Sequence, residues 1–301
     1  MSALTCQELV PVWPGELVDV RHRPMFVRHA PPTSSRAEPA VFVHGLGGGS
    51  ASWTDLMTAL RDRLDGRVPD LPGFGQSPPW PAAYGIEAQA DAVAALIERT
   101  CAGSVHLFGN SLGGTVATRV AAERPDLVRT LTLISPALPD LRPRLASALL
   151  VVPLMPGVGS FAMRRAGRLT PDEQARQTLE ALFGDPSLVH PQRVAETAEE
   201  IRASTGQPHS QDAYLGALRG AVKEYLRPGR QRMWHLARRV LAPTLIIYGG
   251  ADQIVDARTA VRASRTFPNA RVVIMAGVGH VAQLEAPRLV ERQFRTMVDG
   301  G

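Results

Sequence analysis

From residue 41 onward the chain alternates two hydrophobic rhythms. Short, apolar and largely β-branched runs at 41–43, 67–70, 105–108, 130–135, 244–248 and 271–275 predict strands covered on both faces. Between them apolar residues recur every three or four positions, as at Ile86, Ala90, Val93 and Ile97, which is the spacing of an amphipathic helix. The same reading gives helices over 53–64, 86–100, 112–123, 257–266 and 287–298. Pro287 suits the first turn of the last one. This alternation predicts an α/β fold with a mostly parallel sheet, flanked by helices and wound through right-handed crossovers. Residues 15–29 read instead as an antiparallel hairpin leading into the sheet.

The rhythm breaks between Leu138 and Val240. Here Pro and Gly punctuate helical pieces at 141–155, 160–168, 170–183, 191–205 and 210–225. Thr170-Pro-Asp-Glu is a strong helix start, with a capping Thr, Pro in the first turn and two acids behind it. A helical stretch of this length between two strands predicts a cap, or lid, at 138–240 over a core built from 1–137 and 241–301.

Composition supports a soluble globular chain. Of 301 residues, 45% are apolar and 20% charged, which is ordinary for a packed domain. The net charge of +5 has a location: 14 arginines and one lysine face 10 acids within 138–240, and the rest of the chain is balanced. No stacking aromatics or recognised module accompany this charge, so no nucleic-acid partner is expected. The basic cap leaves room for weak contact with an anionic membrane or lipid surface. Cys6 and Cys101 are far apart and form no metal-type pair, which suits reduced thiols. The N-terminus has neither a basic start nor a sustained apolar run, and the most apolar stretch, 149–155, is too short to span a bilayer. Together these predict a cytoplasmic location.

Gly109-Asn110-Ser111-Leu112-Gly113 fits G-x-S-x-G. The pattern alone is weak, but it stands between a predicted strand and a predicted helix, the setting of a nucleophile elbow. Ser111 is therefore the candidate nucleophile. A serine hydroxyl needs a base. His280 follows the strand 271–275 through Ala276-Gly277-Val278-Gly279 and precedes the last helix, so its loop can reach over the sheet. His106 lies inside a strand, His44 opens a glycine loop, and His22, His29, His190, His209 and His235 read as surface or cap residues. An acid must hold the imidazole tautomer. Asp252 follows the strand 244–248, and the order Ser, Asp, His is a hydrolase order. Asp256 and Asp140 are the substitutes. Candidate oxyanion donors are the N–H groups of Leu112 and of Leu46, the latter within His44-Gly-Leu-Gly-Gly-Gly-Ser50. That loop lacks the third glycine and the acidic ribose partner of a dinucleotide site, and no Gly-Lys-Ser/Thr follows. No two histidines share zinc-ligand spacing on a predicted helix. No cofactor and no metal are expected.

His44-Gly45, Asp70-Leu-Pro-Gly-Phe-Gly-Gln-Ser77, Gly109-Asn-Ser-Leu-Gly-Gly114, Gly250-Ala-Asp252 and Gly279-His-Val-Ala-Gln-Leu-Glu-Ala-Pro287 resemble successive signatures of the α/β-hydrolase superfamily. The resemblance implies an eight-stranded sheet with an inserted cap and places Asp70 in a structural turn. It also implies a Ser111–Asp252–His280 triad cleaving a small-molecule substrate, with a carboxylic ester preferred. Serine at the nucleophile position disfavours the haloalkane dehalogenase and epoxide hydrolase activities that use aspartate. The Gly-Asn-Ser elbow is similar to that of carbon–carbon hydrolases of ring-fission products, but Val281 and Leu284 stand where that group often has tryptophan, and its oxyanion loop differs. Some relatives bind small ligands as receptors, which keeps a binding role as a third reading. The apolar run 149–155 reads as pocket lining for medium, apolar substrates. The oligomeric state is not legible.

Overall fold

The computed structural model describes residues 9–81, 84–140, 144–146, 151–155, 168–229 and 232–300. Its centre is an eight-stranded sheet: β1 (Gly15–Val20), β2 (Arg23–Ala30), β3 (Glu38–Val43), β4 (Leu64–Pro69), β5 (Val105–Asn110), β6 (Val128–Ile134), β7 (Thr244–Gly249) and β8 (Ala270–Met275). The order is β1-β2-β4-β3-β5-β6-β7-β8. The first two strands form the expected hairpin, with β2 antiparallel to β4, and every later pairing is parallel. The hairpin turns on Arg21 and His22, both at positive φ (52° and 61°), the backbone that a two-residue turn between right-twisted strands requires.

The helices on the two faces are α1 (Thr54–Leu60), α2 (Ile86–Thr100), α3 (Leu112–Glu123), α8 (Thr259–Thr266) and α10 (Pro287–Asp299), with a short α9 (Ala282–Glu285). Alternation along the central strands divides the core. Val41, Val43 and Leu107 face α2 and α3, whereas Ala40, Phe42 and Phe108 face α1 and α10. On the second face the rings of Phe42 and Phe108 stack with centroids 4.4 Å apart, and Phe294 of α10 adds a third ring 5.1 Å from Phe108.

Between β6 and β7 lie a 3-10 turn (Val152–Leu154), α4 (Pro171–Leu182), α5 (Pro191–Thr205), α6 (Ser210–Leu226) and α7 (Met233–Ala237). The α4 start carries the expected device: Thr170 accepts from the Glu173 N–H, and the Glu173 side chain returns to the Thr170 N–H. Helices α4 and α5 share their own apolar cluster. By contrast, α7 drops into the main core beside α3, with Met233, Leu236 and Ala237 buried. Among the described residues no helix is long and apolar enough to cross a membrane.

The helix expected over 53–64 is shorter. A 3-10 turn over Ser50–Trp53 precedes α1, which stops at Leu60. Leu64 fits the helical spacing but is buried as the first residue of β4, where sheet pairing overrides the local pattern. Of the pieces expected at 141–155 and 160–168, residues 141–143, 147–150 and 160–167 lie outside the described residues, as does Cys6. Of the apolar run 149–155, Val151 and Met155 are exposed. Helices α7 and α9 span five and four residues, too few to produce a readable period.

Candidate active site

Strand β5 is buried along its whole length and delivers the chain to Ser111. Ser111 has φ 53° and ψ −118°, a conformation that costs a non-glycine residue about 1–3 kcal/mol and needs surroundings that impose it. They do so by hydrogen bonds. The Ser111 N–H donates to the Ile134 carbonyl at 3.0 Å, and its own carbonyl accepts from Gly114 (3.0 Å) and Ala137 (2.9 Å). The flanking glycines are required by close approach. A Cβ at 109 would lie 2.5 Å from the Gly113 carbonyl oxygen, and one at 113 would lie 2.3 Å from that of Val43.

His280 follows β8 and is buried. Its Nδ1 donates to Asp252 Oδ2 at 2.8 Å. A carboxylate only accepts, so a proton sits on Nδ1, and in the neutral ring this tautomer leaves the lone pair on Nε2. Asp252 is buried at the end of β7, and its other oxygen accepts from the N–H groups of Ile254 (2.8 Å) and Val255 (3.0 Å). Burial is the strongest influence on this carboxyl and pushes its pKa up. The His280 hydrogen bond and charge, the facing Ser135 hydroxyl and the Ile254 N–H together outweigh it, and the pKa lies below the usual value. The reserve acid Asp256 is held elsewhere, 2.7 Å from Arg258 and 3.5 Å from Arg144.

The loop after β3 lies beside Ser111: a Cβ at Gly45 would come 3.1 Å from that of Ser111. His44 braces the loop. Its buried ring contacts the Gly45 carbonyl through Nδ1 at 2.8 Å and accepts the Leu71 N–H through Nε2 at 2.9 Å. That pattern requires the neutral ring, and burial lowers its pKa against the pull of Asp70 and the Gly45 carbonyl. Asp70 accepts from the N–H groups of Ser50 (2.7 Å) and Gln76 (2.8 Å), so it serves the turn and the glycine loop. Leu46 packs half-buried against the core. Leu112 opens α3, where the first N–H groups have no carbonyl one turn back within the helix.

Several of the remaining histidines have structural partners. His106 bridges Glu38 and Thr130, His29 meets Asp65, and His190 caps α5. Two residues near the site were not singled out from sequence. Asn110 donates through Nδ2 to the carbonyls of Ile134 (3.0 Å) and His280 (3.1 Å). Glu285 binds the turn before His280. Both stand inside the quoted motifs, which was the only signal available.

A profile of the family described as alpha/beta hydrolase fold matches residues 39–287. The chain belongs to the α/β hydrolase fold family. Among relatives of this α/β hydrolase, the dihydrolipoyllysine-residue acetyltransferase component of an acetoin cleaving system from Cupriavidus necator is 30% identical over 249 residues, 83% of this chain and 60% of that protein. The Pseudomonas putida counterpart is matched over 62% of its length, so the chain spans about three fifths of these relatives. Lipase 3 of Moraxella sp. is 25% identical over 87% of this chain and 78% of its own. The crystal structure of a membrane phospholipase A, described as a bacterial virulence factor, superposes with a TM-score of 0.77 at 22% identity, over 96% of this chain and 86% of that one. At that identity the match speaks for the fold.

Proposed function

We propose that this α/β hydrolase is a serine hydrolase that cleaves a carboxylic ester of a small to medium apolar substrate through an acyl-enzyme. The observation that carries the reading is the buried Asp252–His280 pair, tied through Asn110 to the strained Ser111 elbow. In the proposed reaction His280 Nε2 takes the Ser111 proton as the hydroxyl oxygen bonds to the ester carbonyl carbon. The N–H groups of Leu46 and Leu112 hold the developing oxyanion. The carbon–oxygen bond to the alcohol breaks, and His280 returns the proton to the leaving oxygen. Water then attacks the acyl-serine with His280 again as base, releasing the acid and restoring Ser111. Asp252 keeps the imidazole in the required tautomer. Residues 138–240 act as the cap that selects substrate.

Ester hydrolysis by wild type and Ser111→Ala tests the proposal. Wild type gives a burst of alcohol with an activated ester, and Ser111→Ala loses turnover and labelling by a fluorophosphonate. Full turnover in Ser111→Ala would end the reading. Hexanoate or octanoate esters are expected to turn over faster than acetate. A ring-fission dienone belongs in the same panel, because the Gly109-Asn110-Ser111 elbow resembles the carbon–carbon hydrolases. Cleavage of the dienone without cleavage of any ester would move the assignment there. Slow single labelling with no turnover of any substrate would favour a receptor.

A further inference from the structure

The serine-hydrolase scheme leaves one buried carboxylate near the base without a role. Glu285 lies on α9, five residues after His280, and is 9% exposed. Its Oε2 accepts the N–H of Gly279 at 2.7 Å. Both oxygens accept the Gly184 N–H at 3.0 Å, and Oε1 also accepts the Asp185 N–H at 3.1 Å. Residues 184 and 185 follow α4, whose last residue is Leu182. The same turn is fastened a second time, where the His280 N–H donates to the Leu182 carbonyl at 2.7 Å.

The consecutive N–H groups of Gly279 and His280 thus both end on this junction, one at Glu285 and the other at the end of α4. The next residue, Val281, is buried in the apolar cluster that Ala175, Leu179 and Phe183 form with Val194 and Ala198 of α5. The approach leaves no slack: a Cβ at Gly184 would lie 2.2 Å from the Gly277 carbonyl oxygen. Burying a carboxylate is costly unless donors surround it, and charge-assisted bonds from backbone N–H groups are strong and directional. Glu285 has three such groups, from two segments about a hundred residues apart.

We propose that Glu285 is a positioning residue: it clamps the backbone before His280 to the turn after α4, so that the placement of the base depends on the docking of the inserted helices. The inference rests on the serine-hydrolase reading. Glu285 touches neither substrate nor reacting atoms; it acts through His280.

The test compares the wild-type 301-residue chain with Glu285→Gln, Glu285→Asp and Gly184→Ala. Steady-state kinetics are measured on p-nitrophenyl acetate and p-nitrophenyl octanoate, with thermal unfolding monitored alongside. The amide of glutamine turns an N–H group toward the backbone donors. Glu285→Gln is expected to fold and to lose about 10²-fold in kcat on both esters, as a displaced catalytic group does, with KM within about threefold of wild type. Glu285→Asp recovers part of the loss, because it keeps the charge on a shorter arm. Gly184→Ala lowers kcat in the same pattern without altering the carboxylate. A folded Glu285→Gln with wild-type kcat on both esters overturns the proposal. So does a loss confined to KM for the octanoate, which would make Glu285 part of a substrate wall. If Glu285→Gln does not fold, Glu285→Asp and Gly184→Ala decide on the same criteria. A wild type with neither turnover nor fluorophosphonate labelling removes the serine-hydrolase reading itself, whereas an active wild type with unchanged variants removes only the role of Glu285.

Discussion

The side-chain amide of Asn110 donates to the main-chain carbonyl of His280 across 3.1 Å. One hydrogen bond therefore joins the strand that leads to the proposed nucleophile to the loop that carries the proposed base, 170 positions later. The same amide also serves the Ile134 carbonyl. Asn110→Ala leaves both carbonyls without this donor in a buried place, which costs about 1–3 kcal/mol. The expected outcome is a lower urea midpoint together with a lower kcat. An unchanged value of both would show that the loop holds itself.

Asp252 and Asp256 are close in sequence and differ in partner. Asp252→Asn removes the acceptor that keeps the proton on Nδ1, and a drop in kcat of about 10⁴-fold is expected. Asp256→Asn loosens contacts to Arg144 and Arg258 and should leave kcat near wild type. Parallel kinetics on the two variants check this, and the reverse ranking would move the acid to Asp256.

Glu200 of α5 lies over the glycine loop, with Oε1 accepting the Ala51 N–H at 3.1 Å. Burial, followed by the charge of Asp70, pushes its pKa to about 7, against the pull of the Ala51 N–H and Arg28. A folded-state pKa raised above the unfolded value stabilises at low pH, and that contribution is lost as pH rises through about 7. Glu200→Gln imitates the protonated form. Its urea midpoint should exceed that of wild type at pH ~8–9, and the gap should shrink toward pH ~5. A gap independent of pH would refute the raised pKa.

Arg119 of α3 is almost fully buried and reaches Glu224 of α6 at 2.8 Å, with Glu123 at 2.6 Å on its other side. Removing one partner of a buried pair leaves a charge poorly compensated. Glu224→Ala is expected to destabilise by about 3 kcal/mol, the lower end of that class, because Glu123 remains. Chemical denaturation measures it, and a loss well under 1 kcal/mol would show that water replaces the carboxylate.

The β/α alternation was readable because buried parallel strands leave long apolar runs and their helices leave a clean stripe. The proposed triad could be named from sequence because the chemistry proposed for it demands particular residue types at strand ends, and the fold sets Ser111 after β5, Asp252 after β7 and His280 after β8. Other features were less legible. Leu64 fitted the helical spacing of 53–64, and only its place in the sheet shows that it opens β4. The roles of Asn110 and Glu285 depend on backbone groups from distant segments, His280 in one case and Gly184 in the other, and no spacing along the chain encodes such partners. His106 sat in a strand among apolar neighbours, where its pairing with Glu38 has no local signature.

The inserted helices leave the sheet after β6 and return to it at β7, two strands that are neighbours in register, Ile134 beside Ile247. The insertion therefore occupies a single crossover. Its length and content can be exchanged without breaking any strand pairing, while the ends of β5, β7 and β8 keep their places. In evolutionary terms this makes the inserted segment a replaceable cassette on a fixed chassis. An exchange would have to rebuild the seams between insertion and core: the turn at Leu182–Asp185, the Arg119–Glu224 pair, the Glu200 contact with Ala51 and the packing of α7 beside α3.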